Sequence, residues 1–258
     1  MDPNLLDFMP VRRGHFHYES GYHGEIWLDL DRLFLNPIRI VPLARDLASR
    51  LTPSAIEAVV GPLIGGALLA QLIAVELGAE FAYTEPRPSA SDDTLYPVVY
   101  RLPLTVAPLM KGKRVAIVDD VINAGSAVRG TYHALTESGA KPVVVGALLV
   151  LGDGAQPFLK LSGITLERLA TFPNPLWEPA NCPLCVQGIP WMTRWPNSRA
   201  VERMPTIGRR SSCGLRSPRL IGTDYGRGVK IGGSTFYAAT ATLDRSLFAG
   251  VALAGWPG

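Results

Sequence analysis

The sequence predicts an α/β protein in which helices flank a parallel sheet. The chain has 258 residues, of which 47% are hydrophobic, enough for a sizeable core. Between residues 55 and 152, short apolar runs alternate with segments that have the spacing of helices. The short runs are apolar at consecutive positions, as strands buried on both faces are. Together these observations favour a parallel sheet covered by helices on both sides.

The first part of this region predicts two strands and one helix. Residues 55–60 (AIEAVV) have the pattern of a buried strand that leads into the turn GPLIGG. Residues 67–78 are apolar nearly all round, which predicts a helix buried against a sheet. Residues 79–85 predict the next strand, and the Pro-, Ser- and Asp-rich stretch 86–94 predicts a loop.

The second part predicts three further strands and a helix. Residues 96–102 (YPVVYRL), 114–120 (RVAIVDD) and 141–152 (KPVVVGALLVLG) have the character of strands. Residues 126–139 predict a helix, because apolar side chains recur at helical spacing and Gly139 provides a stop.

Composition excludes several classes of protein. The N-terminus lacks the basic start and apolar segment of a signal peptide. The longest strongly apolar run, VVVGALLVLG, is far shorter than the roughly 20 residues of a membrane helix. Three cysteines do not make a disulfide framework, which fits a reducing compartment. A cytoplasmic protein with no membrane association is therefore expected, and a net charge of +3 makes nucleic-acid binding an unfavoured function.

Residues 204–258 differ from the rest of the chain. They contain seven Lys or Arg and two Asp, a net +5, which leaves −2 on the remainder of the chain. Their Arg, Gly and Ser content is typical of a disordered segment, and a non-native, out-of-frame end has the same character. A basic arm that contacts RNA or phosphate is the functional alternative.

Adjacent carboxylates end the apolar strand predicted at residues 114–120. Asp119 and Asp120 follow VAIV and precede the small-residue turn VINAGSA, which enters a helix. Unpaired N–H groups and the helix dipole suit such a turn to a phosphate, and Ser126 adds a hydroxyl. The carboxylates suit sugar hydroxyls or a cation, so a sugar phosphate is the implied ligand. The alternative is a buried strand whose Asp120 or Asn123 only caps the helix.

Three segments resemble those of type I phosphoribosyltransferases, in the family's order and covering roughly residues 12–150. VAIVDDVINAGSA resembles the family's phosphoribosyl-pyrophosphate (PRPP) signature. The segment from GHFHYESGYHG to LFLNP is similar to the opening of orotate phosphoribosyltransferases, and GPLIGG with the following helix resembles the pyrophosphate loop. The resemblance implies a domain over residues 1–203 with a small hood formed by the N-terminal segment, followed by an irregular tail, 204–258.

The resemblance also implies the roles of individual residues. Asp119 and Asp120 would hold the ribose hydroxyls. The residues that would cradle the 5′-phosphate are Asn123, Ala124, Gly125, Ser126 and Ala127. Those that would lie along the pyrophosphate are Gly61, Pro62, Leu63 and Ile64. Magnesium would arrive mainly with PRPP, and the protein would be a homodimer.

Two parts of the sequence depart from the family pattern. No lysine lies between Phe81 and Arg101, where family members carry a mobile Lys-bearing loop, so Arg87 is the candidate catalytic cation and Arg101 the candidate PRPP-binding cation. On the base side, Glu19 and His23 stand where orotate-using relatives often have lysines, and Trp27 is a candidate to stack on the base.

A third motif, CPLC, carries Cys182 and Cys185 at the spacing of half a zinc site. Cys213 is the only other cysteine, and every histidine lies at or before His133, so no second half follows in the sequence. A turn with two thiols and no bound metal is the prediction.

The predicted function is transfer of phosphoribose from PRPP to orotate or another pyrimidine-like base, with release of pyrophosphate. The Lys-free segment favours one alternative, a catalytically inactive module that binds PRPP or a nucleotide. A third hypothesis is an RNA-binding regulator that uses the basic tail.

Overall fold

The computed structural model describes residues 9–88 and 95–192, together with the backbone of residues 229–231 and 234–236. The chain divides into two compact units, Met1–Arg203 and Met204–Gly258. Among the described residues, no helix is long and apolar enough to cross a membrane.

A six-stranded sheet forms the centre of the first unit. Its strands in chain order are β3 (Ala58–Pro62), β4 (Glu80–Pro88), β5 (Val98–Arg101), β6 (Arg114–Ile122), β7 (Lys141–Leu151) and β8 (Thr165–Phe172). Across the sheet the order is β5-β4-β3-β6-β7-β8. All neighbours are parallel except β4 and β5, which pair antiparallel at one edge.

Helices cover both faces of this sheet. They are α1 (Pro37–Leu51), α2 (Gly65–Leu77), α3 (Ser126–Glu137) and α4 (Gln156–Ser162). Short 3-10 helices lie at Leu30–Leu35, Thr52–Ser54, Ala107–Met110 and Pro179–Asn181. One apolar cluster joins α1 and α2 to the sheet, and a second joins α3 and α4 to it.

Strand β6 shows why the apolar runs are continuous. Ala116 and Val118 pack into the cluster with α1 and α2, whereas Val115 and Ile117 pack into the cluster with α3 and α4. Successive side chains of a strand point to opposite faces, so a strand between two helical layers needs apolar residues at every position. The predicted parallel sheet flanked by helices is confirmed.

A small second sheet forms the hood that the resemblance implies. Strands β1 (Val11–His17) and β2 (His23–Leu28) pair as an antiparallel hairpin. The segment after β8, which includes the short helix α5 (Pro183–Val186), returns to this hairpin. Trp177 and His23 exchange backbone hydrogen bonds of 2.8 and 3.0 Å, and the Met192 amide donates to the His15 carbonyl at 2.8 Å.

The structure corrects the predicted loop 86–94. Pro86, Arg87 and Pro88 continue β4 and pair with β5, and residues 89–94 lie outside the described residues. Helix α1 went unpredicted because Pro37 and Pro42 interrupt its sequence pattern, although Pro37 stands in the first turn, where a missing N–H costs nothing.

The prediction for residues 204–258 falls almost entirely outside the described residues. Within them, Val229–Ile231 and Ser234–Phe236 form strands β9 and β10, which pair antiparallel. The disordered or non-native character of the tail therefore stays a prediction.

Truncation after Arg203 tests the proposed domain boundary. Both apolar clusters of the described residues are built from residues between Met9 and Phe172, so we expect the shortened protein to keep its melting temperature and its PRPP affinity. Thermal unfolding and calorimetry check this. A melting temperature several degrees lower would show that the tail completes the core.

Candidate active site

A cleft of about 900 Å³ lies at the carboxyl ends of β3 and β6. This is the edge at which parallel α/β sheets bind ligands. The polar residues and turn residues that line it are Arg12, Trp27, Asp29, Asp31, Pro62, Leu63, Ile64, Gly65, Gly66, Asp119, Asp120 and Ala127. The cleft thus brings together the acidic pair, the GPLIGG turn and the hood.

The acidic pair is almost buried, with Asp119 8% and Asp120 6% exposed. The Asp120 amide donates to Asp119 Oδ1 at 3.1 Å, and the Val121 amide donates to Asp120 Oδ1 at 2.8 Å. Loss of solvation on burial raises the pKa of both carboxyls, and the neighbouring Asp120 raises the pKa of Asp119 further. The pair therefore gains from any ligand that brings hydroxyl donors or positive charge.

The turn after β3 packs directly on this pair. A Cβ at Gly65 would lie 2.0 Å from Asp120 Oδ2, and one at Gly66 would lie 2.7 Å from Asp119 Oδ1. Such distances exclude any side chain, so both glycines are required for the close approach. The Leu63 amide donates to the Thr84 carbonyl at 2.9 Å, and the Leu63–Ile64 peptide bond is cis. The hydrogen bond ties the turn to β4.

The turn that enters α3 has the geometry of a phosphate site. Gly125 adopts a φ of +79°, which glycine tolerates best, and the Arg129 amide donates to its carbonyl at 2.9 Å. The backbone amides that precede Arg129 have no partner within the helix ladder, and they lie at its positive end. Ala127 lines the cleft, while Asn123 accepts a hydrogen bond of 3.0 Å from the Asn174 amide.

Glu19 lies beside this turn and is not among the residues that line the cleft. Its Oε1 accepts hydrogen bonds from the Ser126 hydroxyl at 2.8 Å and the Tyr100 hydroxyl at 2.9 Å. Burial and then the Glu19 carboxylate raise the pKa of Tyr100, so Tyr100 remains a donor. A ligand that needs the Ser126 hydroxyl would therefore compete with Glu19 for it.

Trp27 and His23, the other two residues that the sequence suggests for the base, lie in different places. Trp27 lines the cleft, whereas His23 is not among its lining residues and is 6% exposed. Burial lowers the pKa of His23, so its ring is neutral at pH 7 and offers no positive charge to an anionic base. His23 contacts Cys185 instead, in a cluster described below.

Arg87 and Arg101 lie on the edge hairpin formed by β4 and β5. The Cα atoms of Arg101 and Glu85 are register partners, and the Arg87 guanidinium pairs with the Glu85 carboxylate. Neither arginine is among the lining residues of the cleft, although Pro86 is. Their placement brings two positive charges to one edge of the sheet.

Sequence reasoning missed Arg12, Asp29 and Asp31, which line the cleft. Arg12 is the register partner of Trp27 across the β1–β2 hairpin, so the two side chains share one face of it. The alternation of VRRGHFH with HGEIWL carries that signal, but the pairing register of two short strands does not follow from composition.

Comparisons with known proteins identify the family of this chain. The phosphoribosyl transferase domain family matches residues 39–168. Orotate phosphoribosyltransferase of Thermotoga maritima is 32% identical over 192 residues, 74% of this chain and 94% of that protein. The orotate phosphoribosyltransferase of Thermus thermophilus is 29% identical over 177 residues, 69% of this chain and 90% of that protein.

A solved structure agrees on the fold. Adenine phosphoribosyl transferase from Trypanosoma brucei, solved with AMP, pyrophosphate and ribose-5-phosphate, superposes with a TM-score of 0.50 at 21% identity, over 66% of this chain and 79% of that one. The domain match and the curated relatives go further than the fold. The chain belongs to the phosphoribosyltransferase family and is a transferase that uses PRPP.

Proposed function

We propose that the protein transfers the phosphoribosyl group of PRPP to orotate and releases pyrophosphate. The observation that carries this proposal is the composition of the cleft. An acidic pair, a glycine turn, an arginine and a tryptophan line one cavity of about 900 Å³. The acidic pair and the glycine turn suit a ribose with its pyrophosphate. The arginine and the tryptophan suit a planar anionic base.

The acidic pair and the two turns beside it are proposed to bind PRPP. Asp119 and Asp120 accept hydrogen bonds from the ribose hydroxyls, and the turn from Asn123 to Ala127 binds the 5′-phosphate through its amides. The turn from Gly61 to Ile64 lies along the pyrophosphate. In support, Gly65 and Gly66 bring the backbone next to that turn within contact of both carboxylates.

The charge of the cleft fits a magnesium complex of PRPP better than free PRPP. Four carboxylates line it, those of Asp29, Asp31, Asp119 and Asp120. Carboxylate oxygens are the ligands that Mg²⁺ prefers, and the ion binds commonly through one or two carboxylates plus substrate phosphates. When bound, the ion neutralises charge on the pyrophosphate leaving group. Asp119 and Asp120 are the carboxylates that would hold the ion together with the substrate.

The base side of the cleft is proposed to select orotate. The Arg12 guanidinium matches a carboxylate in shape and charge, and the Trp27 ring offers a face on which a pyrimidine stacks. Glu19 accepts hydrogen bonds from Ser126 and Tyr100 and is not among the residues that line the cleft, so the proposal assigns it no contact with orotate. The curated relatives named as orotate phosphoribosyltransferases support the same base.

The reaction asks mainly for orientation and charge. Displacement of pyrophosphate at the anomeric carbon passes through a state with oxocarbenium character, as glycoside cleavage does. The buried carboxylates stabilise positive charge that develops on the ribose, and the walls align the base with the anomeric carbon. Arg87 and Arg101 are the proposed cations for the departing pyrophosphate.

A base panel tests the proposal. We expect PRPP-dependent release of pyrophosphate with orotate to exceed that with uracil, adenine or hypoxanthine. Arg12→Gln should raise KM for orotate roughly ten- to one-hundred-fold, because a charge-assisted pair is lost. Arg13→Gln is the matched control, since Arg13 is 68% exposed on the same strand and pairs with Glu25.

Preference for adenine, or equal effects of the two arginine variants, would contradict the proposed base. PRPP binding without pyrophosphate release from any base would instead favour an inactive PRPP-binding module. The observation that favours this second function is the absence of lysine between Phe81 and Arg101.

Asp119→Asn should weaken PRPP binding and stabilise the ligand-free protein. Loss of one charged acceptor predicts a PRPP Kd roughly ten- to one-hundred-fold higher, measured by calorimetry. The pKa of Asp119 is raised in the folded state, whereas in the unfolded state it is about 3.9. The folded protein therefore binds more protons between these two values, and its stability falls as pH rises through the interval and stays lowered above it.

Asparagine carries no charge and escapes this loss. We expect a higher melting temperature for Asp119→Asn near pH 7 and a shrinking gain towards pH 4. Asp46→Asn is the control, because Asp46 is exposed on α1 and pairs only at the surface, with Arg50 at 3.2 Å. A gain that is constant with pH would show that the charge of Asp119 is not its source.

Arg87→Ala should lower kcat with little change in PRPP affinity. If Arg87 leaves Glu85 to meet the departing pyrophosphate, in its own or a neighbouring subunit of a homodimer, its loss costs about ten- to one-hundred-fold, roughly 1.4–2.8 kcal/mol of transition-state stabilisation. Arg101→Ala should instead raise the Kd of PRPP. Steady-state kinetics and calorimetry on both variants separate the two roles, and a reversed pattern would exchange the assignments.

A further inference from the structure

The hood contains a cluster of two histidines and two cysteines outside the cleft. It comprises His15 on β1, His23 on β2, and Cys182 and Cys185 at the start of α5. One ligand atom from each lies within 4.8 Å of every other. The fold thus brings to the CPLC motif the two histidines that its own segment lacks.

Three nitrogen–sulfur distances in the cluster match those of a tetrahedral metal site. His15 Nε2 lies 3.4 Å from Cys182 Sγ and 3.7 Å from Cys185 Sγ, and His23 Nδ1 lies 3.3 Å from Cys185 Sγ. Zinc with Zn–S of about 2.3 Å and Zn–N of about 2.0–2.1 Å places nitrogen and sulfur ligands about 3.5 Å apart. All three distances lie close to that value.

A backbone carbonyl fixes the tautomer of His15. Its Nδ1 lies 2.8 Å from the Ile189 carbonyl oxygen, to which it donates, so Nε2 carries the lone pair and points at both sulfurs. A hydrogen bond from the distal ring nitrogen to a carbonyl is the arrangement found around ligating histidines.

Burial and aromatic cover favour an occupied site. Cys182 is fully buried, and His15 is 1% exposed. The Trp191 ring stacks on His15 with centroids 3.8 Å apart and meets His23 edge-on at 4.4 Å. Cys185 is exposed, which leaves a path of entry for an ion. Two thiolates and two neutral imidazoles around a divalent ion give a site with no net charge, which removes the electrostatic cost of burial.

We propose that His15, His23, Cys182 and Cys185 bind one structural zinc ion that fastens the C-terminal segment of the first unit to the β1–β2 hairpin. The ligands close a loop of 167 residues between His15 and Cys182. All four positions are filled by protein, as in structural zinc sites and unlike catalytic ones. The proposal does not depend on the choice of base, because its tests need neither PRPP nor orotate.

Metal content is the first test, on full-length protein that carries Cys213→Ser so that only two thiols remain. We expect about one zinc per chain by elemental analysis. Cobalt(II) added to the chelator-stripped protein should give thiolate-to-metal charge-transfer bands and the visible absorption of a tetrahedral site. A chelator strong enough to remove the ion should lower the melting temperature, and zinc should restore it.

Two variants make the test specific. Cys185→Ser should lose bound zinc and the cobalt spectrum, and because Cys185 is exposed the domain should still fold. His17→Ala is the matched control: His17 is an exposed histidine on the same hairpin, its ring centroid 5.5 Å from that of His23, and it is not a ligand. The control should keep one zinc and the wild-type spectrum.

Three results would overturn the proposal. One is wild-type protein that neither retains zinc nor takes up cobalt with thiolate bands. Another is a Cys182–Cys185 disulfide in protein purified under reducing conditions. The last is loss of metal in His17→Ala equal to that in Cys185→Ser, which would place the ion elsewhere.

Discussion

The burial of Asp119 and Asp120 side by side is the constraint around which the site is organised. Two adjacent carboxylates near the carboxyl end of β6 lose most of their hydration, which raises both pKa values. The sheet tolerates them because they stand at its carboxyl edge, with apolar residues behind them on both faces. Gly65 and Gly66 then bring backbone into contact with the pair, so the acidic floor and the turn above it are one unit. Such a pair lowers the stability of the ligand-free protein near pH 7, and the proposed binding of PRPP gives a reason to keep it.

Arg12 and Trp27 line the cleft from a structural element that is much less stable than the central sheet. Arg12 and Trp27 lie on a two-stranded hairpin, and such hairpins are marginally stable by themselves in water. Backbone pairs with Trp177 and Met192 attach the hairpin to the C-terminal segment, and the His15, His23, Cys182 and Cys185 cluster lies between those two attachments. A zinc ion there would hold the hairpin through side chains a few residues from Arg12. The precision of base recognition would then rest on a site outside the cleft.

The sequence alone predicts the acidic pair and its turns better than it predicts the contacts of the β1–β2 hairpin. The position of the acidic pair was predictable, since continuous apolar strands, DD and a small-residue turn are local signals in neighbouring residues. The contacts of the hood were not predictable, because they join residues far apart in sequence. His23 looked like a base-binding residue while its distance from Cys185 was unknown, and CPLC looked like half a site because His15 precedes it by 167 residues. The partners of Glu19 were hidden for a related reason: Tyr100 and Ser126 come from β5 and α3.

Glu19 also joins the hood to the turn that enters α3. It lies in the turn between β1 and β2, and its carboxylate accepts hydrogen bonds from the Ser126 and Tyr100 hydroxyls. In the ligand-free protein the hood is thereby attached to the turn that would receive the 5′-phosphate. A phosphate that takes the Ser126 hydroxyl removes one of these bonds and adds negative charge next to Glu19. Both effects would act on the hairpin that carries Arg12 and Trp27. Under the proposed function, binding of PRPP and the position of the proposed base-binding residues are therefore coupled through the Glu19 carboxylate.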